Sequence, residues 1–493
     1  MLADAGSAYL AIDLGAGSGR VMLGRFTEDE LHLDELHRFP QPVTRSGGHE
    51  RWQVREILCQ IEVGLQEAGK QDVLDPARIS SVGVDGWGVD YGLLDENDVL
   101  IEDPVCYRDP RTDGVLDELL RRMPGPEVYE RTGIQFLPFN TAVQLLAQTR
   151  AGEWPKSARR LLMVPDLVHH HLSGVATGEF TNASTTQLLN VRTGDWCEEL
   201  LDLVGVPRDV MPPVVPPGTN LGPLLRAHQE RAGLGNVNVV VPASHDTGSA
   251  VAGTSLGKGC AYLSSGTWSL LGVETREPVL TELAERHNFT NEGGVYGTNR
   301  LLKNVMGLWL LDSCREVWER DGQPLEYPRI AAGLTGDNPG EVFMQPDAPR
   351  FLHPKDMVRE IREHLSDTGQ RAPSAPLDLA RVILESLALR YAAVLDLLEE
   401  VIGESVQAIH VVGGGSQNDF LNQATASATG RPVHAGPVEA TAIGNLLVQA
   451  ISGGVFPDLD AGRAYLTRVL PVRTFEPRAP EAWREARRRF DQL

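Results

Sequence analysis

The chain has 493 residues, 42% of them apolar and 23% charged, the balance of a globular protein and more than one hydrophobic core can hold. Its 67 acidic and 45 basic residues leave a net charge of −22, which argues against nucleic acid as a partner, because neutralising phosphates needs clustered Lys and Arg. The five cysteines (Cys59, Cys106, Cys197, Cys260 and Cys314) are odd in number and form no CxxC, and no run approaches the about 18 apolar residues of a membrane span, so reduced thiols in a cytoplasmic protein with no membrane partner are expected.

Tyr9–Ile12 reads as a strand ending in Asp13-Leu14-Gly15, followed by a turn of small residues, Ala16-Gly17-Ser18-Gly19-Arg20. Val21–Phe26 and Leu31–Phe39 continue as strands, giving an antiparallel meander. The turn leaves backbone N–H groups able to face a phosphate, with Ser18 and Arg20 as further donors. Asp13, at the strand's end, is placed to hold a hydrated Mg²⁺, which takes few carboxylates and keeps several waters. A helix is expected over Ile57–Ala68 and a strand over Ile79–Val84. That strand delivers Asp85-Gly86-Trp87-Gly88-Val89-Asp90, an aromatic ring between glycines and carboxylates, read here as a sugar contact. Tyr107–Thr112 gathers two arginines around Asp109, either as a salt-bridged loop or as a polar wall. His169, His170 and His171 point different ways on one helix and cannot jointly ligate a metal; a solvated helix end is expected. The polar run from Thr181 to Gln187 either lines a cleft or caps the next helix.

Beyond a proline-dense connector at Met211–Pro223, the valines at 239–241 read as a buried strand that ends in Ser244-His245-Asp246-Thr247. Ala261–Leu263 and Trp268–Val273 flank a Ser264-Ser265-Gly266-Thr267 turn, a second hairpin with the layout of the first. A carboxylate beside an anion-binding turn is what phosphoryl transfer needs, and two such hairpins point to two related domains. The domains are expected at 1–245 and 246–493. Lys303–Asp312 is read as a helix with Asn304 in its first turn and Trp309 and Leu310 in the core, and Leu377–Val401 as a long buried helix. The strand Ala408–Val412 leads into Gly413-Gly414-Gly415, bare backbone on which a planar ring or a phosphate could lie. No GxxxxGK[ST] and no dinucleotide fingerprint is present. Glu439–Asn445 opens a helix whose small residues are read as structural.

The ordered blocks DLGAGSGR (13–20), GVDGWGVD (83–90), YRDPRT (107–112), GIQFLPFNT (133–141), SHDT (244–247), YLSSGTWSL (262–270), TNEGG (290–294), LKNVMGLWLL (302–311) and VGGGSQN (412–418) span nearly the whole chain. Together they resemble the FGGY carbohydrate kinases of the actin, sugar-kinase and chaperone ATPase superfamily. The resemblance implies an α/β fold of two ribonuclease-H-like domains, of the actin and hexokinase ATPase type, flanking a deep cleft. The first domain would be sugar-binding and the second nucleotide-binding. It implies ATP and Mg²⁺ as cofactors, a small sugar as partner, and a monomer or homodimer. Asp246 would be the catalytic base, with Gly88, His245, Asp246 and Thr247 contacting the sugar. Ala16, Gly17, Ser18, Gly19, Arg20, Thr267, Asn304, Asp312 and Gly414 would form the nucleotide site. Two positions depart from the family: Asp312 stands where it places Gln, and Gly17 where its first turn has Ser. The implied reaction is phosphorylation of the 1-hydroxyl of L-rhamnulose. Another sugar or polyol of the family (L-fuculose, L-xylulose) and an actin-like ATPase without kinase activity are the alternatives.

Overall fold

The computed structural model describes residues 7–70, 79–352 and 354–493. The chain divides into two compact units: one is built from the chain through Ser255, from Glu274–Leu301 and from Ala440–Leu470, the other from Leu256–Val273, Leu302–Glu439 and Pro471–Leu493. Among the described residues no helix is long and apolar enough to cross a membrane.

The first unit is organised on six strands: β1 (Ala8–Leu14), β2 (Ser18–Phe26), β3 (Leu31–Pro40), β4 (Ile79–Gly86), β5 (Asn220–Pro223) and β6 (Asn238–Val240), in the spatial order β5-β6-β4-β1-β2-β3. β1, β2 and β3 form the expected antiparallel meander, while β4 runs parallel to β1 and β6 parallel to β4. Both faces of β1 are buried, which explains its unbroken apolar run. Leu10, Ile12 and Leu14 pack with α1 (Val54–Gly69) and α2 (Val164–Ser173) on one face. Tyr9 and Ala11 meet Ile443, Leu446 and Leu447 of α7 (Ala440–Ser452) on the other.

The second unit repeats the plan. Its strands β7 (Cys260–Ser265), β8 (Trp268–Thr275), β9 (Asn299–Met306), β10 (Ala408–Val412), β11 (Val433–Ala435) and β12 (Arg473–Phe475) run in the order β9-β8-β7-β10-β11-β12. β7 is antiparallel to β8 and parallel to β10, and β10 is parallel to β11. These six follow the order β3-β2-β1-β4-β6-β5, and β7, β8, β10, β11 and β12 also match it in direction; a seventh strand, Thr290–Gly293, lies beyond β9. The long helix, α5, spans Pro376–Ile402, and α6 (Asp419–Thr429) follows the glycine run.

Two expectations are corrected. Lys303–Met306 belongs to strand β9, and the helix α4 begins only at Trp309 (Trp309–Arg320), so Asn304 sits on a strand rather than in a helical turn. Gly307 breaks the two apart: a Cβ there would lie 2.6 Å from the Gly266 carbonyl oxygen. Leu310 is core, but Trp309 is half-buried, with its indole N–H on the Phe351 carbonyl. The histidines of α2 are not a solvated helix end either. His169 is 1% exposed, accepts the Val84 N–H at 3.1 Å, and is pushed by burial down to about 4. His171 packs its ring against His228, with Glu62 beside both. These three could hold a metal by distance, but Arg231 Nε lies 3.3 Å from Glu62 and supplies the counter-charge.

Candidate active site

In the first unit the parallel strands β1, β4 and β6 end side by side, the place where open α/β sheets present ligand sites. Asp13 pairs in register with Asp85 across β1 and β4 and with Arg20 across β1 and β2. The Gly86 N–H donates to Ser244 O at 2.9 Å, and Gly86 bridges to His245, so the segment after β6 is stitched to the end of β4. Asp246 follows as the first residue of the short helix α3 (Asp246–Ala252). The strand end is clamped by Glu179, fully buried, whose carboxylate accepts from Ser244 N and Oγ, Thr181 N and Oγ1, and Asn182 N at 2.5–3.2 Å. Thr181 Oγ1 in turn accepts from His245 N. The polar run at 181–187 therefore contributes a brace for the strand end as well as a helix capped by Glu179.

The charges of Asp13 and Asp246 raise Asp85's cost of ionisation, and that of Asp13 raises Asp246's. Burial, then the charge of Asp13, drives Asp85 well above the carboxylate range, against the hydrogen bond from Asn445 Nδ2 at 2.6 Å. Asp246 is raised by burial, is held back by His245 and is raised again by Asp13. Arg20 NH2 donates to Asp13 Oδ2 at 2.5 Å. Arg20, read as a phosphate donor, thus has the Asp13 carboxylate as a partner. Asp85 Oδ1 is buried with no hydrogen-bond partner among the described residues. Asp13, Asp85 and Asp246 offer hard oxygen donors, the type Mg²⁺ takes together with water, although among the described residues they do not form a three-ligand group by distance.

The Asp246 carboxylate is asymmetric. Its Oδ1 accepts from Thr247 N at 2.6 Å and Thr247 Oγ1 at 3.2 Å, and His245 Nε2 lies 3.3 Å away. Oδ2 accepts nothing among the described residues, and the side chain keeps 32% exposure. A half-exposed carboxylate with one oxygen saturated and the other open is the arrangement of a base. His245 and Thr247, the chain neighbours of Asp246, both lie at its Oδ1. Gly88 lies half-buried beside Thr185, which a Cβ on Gly88 would meet at 3.0 Å, and Val89 next to it holds a strained φ of +67°.

Trp87 behaves differently from its reading as a sugar contact. It is 5% exposed, packs against Trp52 with ring centroids 4.5 Å apart and planes tilted by 43°, and donates its indole N–H to Asp90. Asp90 also accepts from Trp52, Gln144 and Tyr107 N, and burial pushes it to about 6 despite those donors. Asp109 accepts from His49, Glu50 N and Arg111 N rather than from an arginine side chain.

In the second unit the turn between β7 and β8 is fixed from two sides. Leu308 N donates to Gly266 O and Trp309 N to Thr267 O. The glycine run folds as a 3₁₀ turn over Ser265, which a Cβ on Gly415 would strike at 2.0 Å; Gly413 adopts φ +78°. Gly414 stays exposed with open space where a side chain would be, and Thr267 and Asn304 are half-buried. Asp312 accepts from Tyr327 Oη at 2.8 Å and pairs with Arg315 at 3.2 Å, so its charge is already compensated locally. In the first hairpin Ala16 and Ser18 are half-buried and Gly17 exposed, whereas Gly19 is buried against the Phe39 ring. Sequence reasoning missed Glu179, Glu292, Arg300 and Asn445; of these only Glu292 stood inside a quoted block, TNEGG.

Residues 8–253 match the N-terminal domain of the FGGY family of carbohydrate kinases and residues 261–453 its C-terminal domain. The chain is 42% identical to a rhamnulokinase of Bacteroides thetaiotaomicron, over 96% of this chain and 97% of that one. It is 41% identical to one of Pectobacterium carotovorum subsp. carotovorum, over 98% and 96%. Among solved structures it is similar to a ligand-bound xylulose kinase from Lactobacillus acidophilus (TM-score 0.80, 15% identity, 99% of this chain and 97% of that one). A Plasmodium falciparum glycerol kinase with ADP gives a TM-score of 0.75 at 16% identity, over 98% of each chain.

Proposed function

The chain belongs to the FGGY family of carbohydrate kinases, and on that premise we propose that it transfers the γ-phosphate of ATP to the 1-hydroxyl of L-rhamnulose, giving L-rhamnulose 1-phosphate and ADP. The substrate rests on near-full-length identity of 37–42% to relatives named rhamnulokinase. The observation that carries the chemistry is the carboxylate of Asp246, with Oδ1 held and Oδ2 open.

Asp246 Oδ2 takes the hydroxyl proton as the sugar oxygen forms its bond to the γ-phosphorus and the bond from that phosphorus to the β,γ-bridging oxygen breaks. His245 and Thr247 keep the base in place and, with Gly88, contact the sugar on the first unit. On the second unit the Thr267 turn, Asn304 and the bare backbone at Gly414 receive the nucleotide, with Ala16–Arg20 as the phosphate turn of the first. Asp312, tied to Arg315 and Tyr327, contacts the nucleotide through that compensated cluster rather than as a bare charge. Asp13 would hold Mg²⁺, which when bound would supply positive charge for the phosphate oxygens. Loose phosphoryl-transfer transition states need positioning and charge stabilisation more than covalent help from the protein. Cytoplasmic location agrees with five free thiols.

A coupled ADP-release assay with MgATP and L-rhamnulose, L-fuculose, L-xylulose or glycerol tests the reading. Turnover concentrated on L-rhamnulose is expected. Turnover with another acceptor would replace the substrate, and ADP release indifferent to sugar would refute the kinase.

A further inference from the structure

Arg300 is fully buried, and a guanidinium, which stays charged at any accessible pH, is rarely placed so without an anion. Its anion is Glu292, whose Oε2 lies 3.0 Å from Arg300 NH2 and whose side chain is 7% exposed. Burial opposes the charge on Glu292, but Arg300 and His245 outweigh it and hold the carboxyl below its usual range. Arg300 Nε donates to Gly293 O at 2.9 Å, fixing the plane of the fork. The NH2 group is then directed at His245 Nδ1, 3.1 Å away. Glu292 Oε2 lies 3.2 Å from that same nitrogen, and the other ring nitrogen, Nε2, lies 3.3 Å from Asp246 Oδ1.

Arginine only donates. Three protonation states of His245 can be weighed against that. A neutral ring with its proton on Nδ1 faces Glu292 Oε2, but it sets N–H against N–H at Arg300 and a lone pair against the carboxylate at Asp246, and those two contacts repel. A neutral ring with its proton on Nε2 accepts from Arg300 and donates to Asp246. The imidazolium faces the carboxylates of Glu292 and Asp246, but it sets its Nδ1–H and a second positive charge against Arg300 NH2. Only the neutral ring with its proton on Nε2 avoids a donor facing a donor at Arg300, and that nitrogen lies 3.3 Å from Oδ1 of the base.

We propose that Arg300 and Glu292 are positioning residues for phosphoryl transfer: they fix the proton of His245 on Nε2, and His245 thereby holds Asp246 Oδ1 so that Oδ2 remains the oxygen that takes the substrate proton. The proposal rests on the reading of Asp246 as the base. Neither residue touches the reacting atoms, so their effect travels through His245 alone, and that makes it separable from general stability.

The test is a double-mutant cycle. Glu292→Gln, which keeps size and shape, Arg300→Met and Arg300→Lys are each made in the wild-type and in the His245→Asn background. kcat, KM for L-rhamnulose, KM for MgATP and thermal unfolding are measured for each. In the wild-type background Glu292→Gln and Arg300→Met are expected to lower kcat about 10- to 100-fold, as small misplacements of reacting groups do, with KM for MgATP within about twofold. Arg300→Lys recovers part of the loss. In the His245→Asn background the same changes cost less than about twofold, because contacting residues in one network are not additive. Losses that multiply in both backgrounds, or wild-type kcat in a folded Glu292→Gln, overturn the proposal. If Arg300→Met does not fold, the Glu292→Gln pair decides alone. Asp246→Asn, run alongside, separates the two readings: retained turnover there refutes the base, whereas its loss together with multiplying Arg300 effects refutes only the relay.

Discussion

Helix α3, which begins with Asp246, crosses α7 at two glycines, and Gly444→Ala tests what that crossing does. A Cβ at Gly444 would lie 1.8 Å from Ser249 O, 2.6 Å from Ser249 C and 2.8 Å from Gly253 N. All three are backbone atoms of α3 or its C-cap, so no rotamer change relieves the clash, and the helices must part by more than about 1 Å. Alanine gains about 1 kcal/mol over glycine in a helix interior. Overpacking a close contact costs about 1–3 kcal/mol or more, and here α7 also carries Asn445 on Asp85 and Gln449 on Leu10 O and Ser81, bonds that the shift would lengthen. With three backbone atoms in the way, the clash falls at or above the upper end of that range and therefore wins, with a net loss of about 2 kcal/mol and a Tm lower by about 3 °C, given about 2.1 cal/mol/K of unfolding entropy per residue over a unit of about 300 residues. Because α3 starts with the base, the same shift is expected to lower kcat about 10- to 100-fold. Differential scanning fluorimetry and the coupled ADP assay read the two effects. A Gly444→Ala protein with wild-type Tm and kcat would refute the claim that this backbone contact sets the position of Asp246.

Two further outcomes follow from the site. Asp246→Asn is expected to reduce kcat about 10²- to 10⁴-fold, the span of general-base catalysis, with KM for MgATP and the melting temperature near wild type; loss of folding instead would make the residue structural. Asp90, raised to about 6 in the folded chain against about 3.9 when unfolded, contributes stability that is full below about pH 4 and lost as pH rises to about 6. Since Trp52 and Trp87 both donate to Asp90, tryptophan emission should titrate near pH 6 and lose that transition in Trp52→Phe/Trp87→Phe; a flat profile in the unsubstituted protein would contradict the assignment.

Much of the fold was legible because its signals are local. The strands at Ala8–Leu14 and Ala408–Val412 are apolar runs closed by glycine-rich turns, and the helix Pro376–Ile402 is apolar at helical spacing over its whole length. The same local logic misled at Lys303–Met306, where an apolar segment is strand because β8 and the Gly266 turn offer it pairing and Gly307 ends it. Trp87 misled for a related reason: its chemistry fits a sugar wall, but Trp52, distant in sequence, takes its face, and Asp90 takes its N–H.

By itself the sequence determined the two hairpins with Gly- and Ser-rich turns, the Ser-His-Asp-Thr segment closing a buried strand, and through its ordered blocks the family. Each depends on residues a few positions apart, whose geometry the backbone enforces. Tertiary structure alone decided which buried polar groups serve which. Asn445 reaches Asp85, Glu179 clamps Ser244, and Arg300 fixes on Glu292 and His245. A buried polar atom must find a partner wherever the fold brings one, and sequence separation places no limit on where that is.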